Sequence, residues 1–348
     1  MEYSKQLGAI TDAQIQQALN HFNLGELLRA EPVPFGLFGQ NVFVTSTAGQ
    51  YVLRGAPHTP SQFPAEQYYT GELHRRTSVP VSWPYLIDES RAIFGWSYVL
   101  MPRMPGINVD DREVRGRLSD TDRIAIARAM AENLVAMQSL THSETGRWDL
   151  ATNTIRPFDL EHEIAWWFPR APLDQDETRR IGSAEQIEGL IRTFARRSKA
   201  ADHGEDLDWV ERVLAAAHDA LRILFEPCFV MEDYKLGNVV LSDTAGRWRV
   251  SGVFDLAGSY FGDGESDLSR TVASYLDENA SLAREFLLTY LKLRPARDGF
   301  AERFRAYMLH DRLIIWDYVQ RHEPEVAAKM GSLRDWAERY VEALAGLY

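Results

Sequence analysis

Two periods alternate along this chain, and their order divides it. After an N-terminal stretch that reads as helical to about residue 30, the chain turns extended at Glu31-Pro32-Val33-Pro34. The β-branched run Asn41-Val42-Phe43-Val44-Thr45-Ser46-Thr47, the turn Ala48-Gly49-Gln50 and the run Tyr51-Val52-Leu53-Arg54 predict a hairpin. A helix is expected from about Pro64 to Arg76, with Pro64 in its first turn. Further extended segments are expected over Val79 to Ile87 and over Trp96 to Met101. From Asp120 the pattern turns helical: Ile124, Ala127, Met130, Leu134, Met137 and Leu140 recur at three- and four-residue steps and mark one apolar stripe. A second stripe runs through Val210, Val213, Leu214, Ala217, Leu221 and Leu224, and the last 80 or so residues read as further amphipathic helices. A short extended, turn-rich stretch at 228–255 interrupts them.

The expected architecture is therefore α+β and two-lobed. Residues 1–101 form a small β-rich lobe and 102–348 a larger, mainly helical one. The least periodic part, about 155 to 205, carries Trp166, Trp167 and Phe168 and the acidic residues Asp174, Asp176 and Glu177. It reads equally as a substrate-covering insertion or as a helix pair with a solvated acidic face.

Composition narrows the function classes. The formal net charge is -12, which disfavours nucleic acid and anionic membrane as partners, since both reward a basic face. It suits a cationic small molecule, and equally an acidic surface that only keeps the protein in solution. The single cysteine, Cys228, excludes an internal disulfide and a paired-cysteine metal site, and its apolar neighbours make it a core residue. No signal-peptide layout or apolar run of membrane-spanning length is seen, so the cytoplasm is the expected compartment, with a monomer or homodimer as the expected state. The nine histidines form no HxH or HExxH pattern, which argues against a metal hydrolase.

The chemistry concentrates in Val230-Met231-Glu232-Asp233-Tyr234-Lys235-Leu236-Gly237-Asn238-Val239-Val240-Leu241. Asp233 is followed five positions later by Asn238, and Asp255 ends a second apolar strand, Val253-Phe254-Asp255. The turn Asp243-Thr244-Ala245-Gly246 lies between, so a hairpin brings Asp255 back beside Asn238. Phosphoryl transfer needs such a set: one carboxylate to orient a hydroxyl and take its proton, and a carboxamide and second carboxylate to hold Mg²⁺ against phosphates. Ordinary turn residues and a helix cap would give the same letters; the flanking strands and the upstream features below decide for the chemical reading.

Asp233 to Asn238 resembles the catalytic loop of aminoglycoside phosphotransferases, written HGDxHxGN. Val253-Phe254-Asp255 resembles their metal-binding strand, and Gly262-Asp263-Gly264-Glu265-Ser266-Asp267-Leu268 their GDPxxDLA segment. The resemblance implies a protein-kinase-like fold and a kinase that uses ATP or GTP with Mg²⁺. It implies Asp233 as base, Asn238 and Asp255 as metal ligands, and Asp263 and Asp267 as structural supports. It departs at Met231 and Glu232, where the family has His and Gly, and at Lys235, which could meet the transferred phosphoryl group as in eukaryotic protein kinases. Upstream, Arg54 takes the place of the strand cation that grips the phosphates, as in some family members, with Glu66 as its helix partner and Glu72 as runner-up. Gly36 and Gly39 would place backbone N–H groups over the phosphates, or form a plain turn. Leu100 and Met101 would offer backbone groups to the nucleotide base.

The expected activity is transfer of the γ-phosphate to a hydroxyl of a small cationic molecule, with an aminoglycoside-like antibiotic favoured. A choline- or sugar-type metabolite is the alternative acceptor. The replaced His-Gly pair also leaves open a nucleotide-binding pseudokinase with a regulatory role.

Overall fold

The computed structural model describes residues 2–4, 7–33, 41–57, 59, 61–159, 163, 183–197 and 204–347. The N-terminal stretch is not one helix. The helix is confined to Asp12–His21, where Thr11 and Gln14 form a reciprocal cap, and short extended pieces at Glu2–Ser4 and Gly8–Ala9 precede it. Asn23 and Gly25 then take φ values of 57° and 78°, which end the helix and send the chain into strand Leu27–Pro32.

That strand opens a five-stranded antiparallel sheet with the order Leu27–Pro32, Asn41–Ser46, Gly49–Gly55, Tyr98–Pro102, Leu86–Asp88. Successive side chains alternate across it. Val42, Val44, Leu53, Tyr98 and Leu100 pack on the Asp12–His21 helix, while Val99 and Met101 face the other way, onto Phe63 and Tyr85. The second face is covered by helix Gln62–Arg76. Of the extended segment expected over Val79–Ile87, only Leu86 and Ile87 enter the sheet, because Pro80 and Pro84 remove ladder donors. Val81 instead makes a single bridge to Val253, with Val253 N–H donating to the Pro80 carbonyl at 2.9 Å, and so ties the sheet-side lobe to the candidate metal strand.

After the short helix Arg112–Arg117, the first long helix of the helical lobe is Asp120–Met137, capped reciprocally by Ser119 and Asp122. Helices Ser183–Arg197, Gly204–Leu221, Leu268–Glu278, Ala280–Leu293, Phe300–His322 and Leu333–Val341 share one apolar core with it. The second predicted stripe ends early: the helix stops at Leu221, and Leu224 is exposed. Trp166, Trp167, Phe168, Asp174, Asp176 and Glu177 lie outside the described residues. The hairpin expected between Asn238 and Asp255 is present as Val239–Thr244 against Arg247–Val253. Its two-residue turn, Ala245-Gly246, has φ values of 54° and 79°, which match the strand twist. No described helix is long and apolar enough to cross a membrane.

A buried ionic cluster fixes the segment that carries Asp263 and Asp267. Asp263 accepts from Glu265 N–H at 3.1 Å and from the Tyr307 hydroxyl at 2.7 Å, and pairs with Arg297. Arg303, fully buried, donates from Nε to Glu265 at 2.8 Å and from Nη1 to the Ala220 carbonyl at 3.1 Å. Removing one side of a buried pair leaves an uncompensated charge. Arg303→Met is therefore expected to lower unfolding free energy by about 3–5 kcal/mol, read by urea denaturation. A loss below about 1 kcal/mol would show that the cluster does not hold the lobe together.

Candidate active site

Arg54, on strand Gly49–Gly55, and Glu66, buried on helix Gln62–Arg76, face each other. Arg54 Nη1 donates to both Glu66 oxygens, at 2.7 and 2.9 Å, and Nη2 donates to Asp255 Oδ1 at 3.2 Å. The Tyr85 hydroxyl donates to Glu66 Oε2 at 2.6 Å. Burial holds the Glu66 carboxyl above its ordinary range, against the pull of Arg54. Glu72 is taken by Arg75 and Arg76 on its own helix, so Glu66 is the partner of Arg54.

The loop after strand Cys228–Val230 carries Asp233. Lys235 Nζ donates to Asp233 Oδ2 at 2.7 Å, and Asn238 Nδ2 donates to the same oxygen at 2.9 Å and to the Asp233 carbonyl at 2.9 Å. Arg270 Nη1 stands 3.4 Å from Asp233 Oδ1 and, through Nε, holds Asp311 at 2.5 Å. A single 3₁₀ turn, Leu236–Asn238, brings Asn238 to the head of the hairpin. Phe254 N–H donates to the Asn238 carbonyl at 3.2 Å, so the residue before Asp255 is bonded to the loop that carries Asp233. Asp233 and Asn238 thus sit on one loop, and Asp255, next along the chain from Phe254, is joined on its other side to Arg54 and through it to Glu66. Gly36 and Gly39 lie outside the described residues. Leu100 has a strand neighbour on each side, Leu53 and Leu86, whereas Met101 is paired only with Val52, so the open sheet edge begins at Met101.

The amide of Asn238 is oriented by its two donations to Asp233, which leaves Oδ1 as its ligand atom. Together with the half-exposed Asp255 carboxylate it offers two hard oxygens. No group of three or more His, Cys, Asp or Glu side chains able to cage a metal occurs among the described residues. A magnesium ion completed by phosphate and water needs none, so this donor set fits it.

Support for the loop comes from residues that the sequence reading only partly named. Asp267 accepts from Met231 N–H and Glu232 N–H, each at 2.7 Å, as its assignment to structural support implied. Burial nonetheless pushes its carboxyl up to about 7. Thr271 donates to the Tyr234 carbonyl at 2.6 Å, and the Tyr234 hydroxyl donates to the Met130 carbonyl at 2.9 Å. Met231, in the place of the family His, is buried in the helical-lobe core. Glu232, in the place of the family Gly, has φ 71°, a region Gly enters freely and other residues at a cost of roughly 1 kcal/mol. Arg270 sits one turn beyond Asp267 on the following helix, a spacing that the sequence displays; Arg147, which donates to Glu232, carries no such signal.

The Glu232 carboxyl is pushed by burial from about 4.5 up to about 7, against the pull of Arg147. Between those pH values the folded chain holds more protons than the unfolded chain, so this group makes stability fall as pH rises. Glu232→Gln removes that slope. Its stability relative to the parent is expected to improve by on the order of 1 kcal/mol per pH unit from pH 5 to 7. Urea denaturation across that range tests this, and a gap that does not change with pH rejects it.

Comparisons with known proteins bear on the same geometry. Residues 29–303 match the phosphotransferase enzyme family, APH. A crystal structure of a thermostable mutant of the aminoglycoside phosphotransferase APH(4)-Ia, with ADP and hygromycin B, superposes with a TM-score of 0.61 at 17% identity, covering 96% of this chain and 99% of that one. An aminoglycoside 2'-phosphotransferase-IIIa in its GDP complex gives a TM-score of 0.54 at 12% identity, covering 99% and 98%. These likenesses establish the two-lobed, protein-kinase-like fold. Homoserine kinase of Burkholderia vietnamiensis is 33% identical over 90 residues, 25% of this chain and 26% of that protein, so the match spans about a quarter of the relative's length. With the family match running over most of its length, this chain belongs to the phosphotransferase enzyme family.

Proposed function

We propose that this protein is a Mg²⁺-dependent kinase that moves the γ-phosphoryl group of ATP or GTP to a hydroxyl of a small cationic molecule. The observation that carries the reading is a pair of polar clusters, Glu66–Arg54–Asp255 and Asn238–Asp233–Lys235, joined through the backbone bond from Phe254 N–H to the Asn238 carbonyl. It supplies each part that phosphoryl transfer requires.

In this reading Asp233 accepts the proton of the acceptor hydroxyl, whose oxygen bonds to the γ-phosphorus as the bond to the bridging oxygen breaks, and the nucleoside diphosphate leaves. Lys235 places a point charge beside the carboxylate, where the transferring group must pass. Asn238 and Asp255 would hold magnesium, which when bound neutralises charge building on the phosphate oxygens. Arg54 would grip the α- and β-phosphates with its fork, oriented by Glu66. Met101, at the open sheet edge, is the better placed of the two candidate base contacts; Leu100 lies inside the sheet. Gly36 and Gly39 keep their role as phosphate-loop candidates. The division of the lobes between residues 101 and 102 is part of this reading; the five-stranded sheet's last strand in chain order, Tyr98–Pro102, runs to that point.

For the acceptor, the net charge of -12 and the hygromycin B and kanamycin complexes of structural neighbours favour an aminoglycoside-like compound. A choline-, sugar- or amino-alcohol-type metabolite is the alternative. The regulatory pseudokinase loses its motive: Met231 and Glu232 raised it, yet Asp267 and Thr271 brace the loop around them. The cytoplasm remains the proposed compartment.

Coupled ADP or GDP release over a panel of aminoglycosides, choline, homoserine and simple sugars tests the activity. On the responding acceptor, Asp233→Asn is expected to lower kcat by about 10²–10⁴-fold with nucleotide binding kept. Asp255→Ala should remove Mg²⁺-dependent turnover, and Arg54→Ala should raise the KM for nucleotide. Turnover that survives loss of Asp233 would sink the assignment of the base.

A further inference from the structure

Arg147 stands outside the residues that phosphoryl transfer requires, yet it touches the loops that carry both key aspartates. It opens the short strand Arg147–Asp149, on a hairpin with Thr154–Arg156. Its Nη2 donates to Glu232 Oε1 at 3.1 Å, and Glu232 adjoins Asp233. Its Nη1 donates to the carbonyls of Gly258, at short range, and Ser259, at 3.4 Å, just beyond Asp255. Its Nε donates to both Glu163 oxygens, at 3.0 and 3.1 Å. The Tyr260 ring lies 4.9 Å below the guanidinium.

The hairpin is itself anchored. Gly146 and Phe261 exchange backbone hydrogen bonds at 2.9 Å in both directions, and Trp148 N–H donates to the Tyr69 hydroxyl at 2.8 Å, on the helix that carries Glu66. A Cβ on Gly146 would stand 2.0 Å from the Arg156 carbonyl oxygen, and a Cβ on Gly258 would stand 3.1 Å from Glu232 Oε2. Both glycines leave room for the close approach.

We propose that Arg147 is a positioning residue that sets the spacing between the catalytic loop and the Asp255 loop, with Glu232 as its contact on the catalytic loop. Among fork-shaped donors only a guanidinium can serve two loops and a further carboxylate in one plane. Glu163 and Glu232 are both drawn to Arg147, so its loss leaves two carboxylates facing each other with their shared cation gone. This inference rests on the phosphotransfer reading, because the spacing it sets matters through magnesium and nucleotide.

The test is calorimetric titration of ADP with and without Mg²⁺ on the full chain, alongside kcat and thermal denaturation. The parent is expected to bind ADP more tightly with Mg²⁺. Arg147→Met should keep Mg²⁺-free affinity within about threefold, lose most of the Mg²⁺-dependent gain, and lower kcat by about 100-fold. The double variant Arg147→Met/Glu232→Gln should regain about tenfold in kcat, since it removes one of the two carboxyl groups left facing each other. Arg147→Lys should recover thermal stability more fully than kcat. An Arg147→Met protein that binds Mg²⁺-ADP like the parent overturns the proposal. So does one whose Mg²⁺-free and Mg²⁺-bound affinities fall together with its denaturation midpoint, which marks a merely structural role. A parent that gains nothing from Mg²⁺ fails the phosphotransfer reading itself.

Discussion

One carboxyl group holds the loop that carries Asp233 in place. Asp267 spends both oxygens on consecutive backbone N–H groups, those of Met231 and Glu232. Two consecutive amides can point at one acceptor only where the backbone turns sharply, and Glu232 makes that turn at φ 71°. The cost of a left-handed glutamate is offset by two hydrogen bonds to the buried Asp267 carboxyl. Asp233 follows at once, so its direction into the cleft is set by the same clamp. Asp267 is in turn held by the Asp263–Glu265 segment, which the buried Arg303 ties to the Gly204–Leu221 helix through the Ala220 carbonyl. The direction of Asp233 therefore depends on a charge placed deep in the helical lobe.

This arrangement explains why the departure from the family pattern at 231 is tolerated. A side chain at that position would brace the loop by its own hydrogen bonds. Here the backbone at 231 is braced and the side chain is free to be apolar, so methionine fills core space beside Phe229 and Tyr234. At 232 the family glycine satisfies φ at no steric cost. Glutamate meets the same φ at some cost and brings a carboxylate within reach of Arg147. The two departures act on different physical quantities, packing at one position and charge at the next.

What the sequence displays and what it hides follow from range. The Asp233–Asn238 spacing and the hairpin that returns Asp255 are local, and local spacing is legible. Glu66 was nominated by the family resemblance as the helix partner of Arg54, and the two are paired in the fold. Arg147 lies far from Glu232 in the chain and meets it only through tertiary packing, so no periodicity could nominate it. The helix expected over the first 30 residues failed for a local reason: Asn23 and Gly25 accept left-handed backbone, and composition alone does not say which of several such residues will use it. The extended run over Val79–Ile87 failed at its prolines. Leu224 failed because a stripe of apolar residues continues past the point where a helix ends.

The contacts of Arg54 are unequal, and the inequality has a function. Toward Glu66 it makes two short bonds, and Tyr85 holds the same carboxylate from the far side, in a buried setting. Toward Asp255 it makes one longer bond to a side chain that is 45% exposed. An exposed pair of that kind contributes little, whereas breaking a buried one is costly. Nη2 can therefore exchange Asp255 for another anion while Nη1 stays locked on Glu66. In the proposed phosphotransfer reading, Asp255, once released, would present its oxygens to a cation. The asymmetry leaves one arm of the guanidinium anchored on Glu66, so its geometry does not depend on which anion meets the other arm.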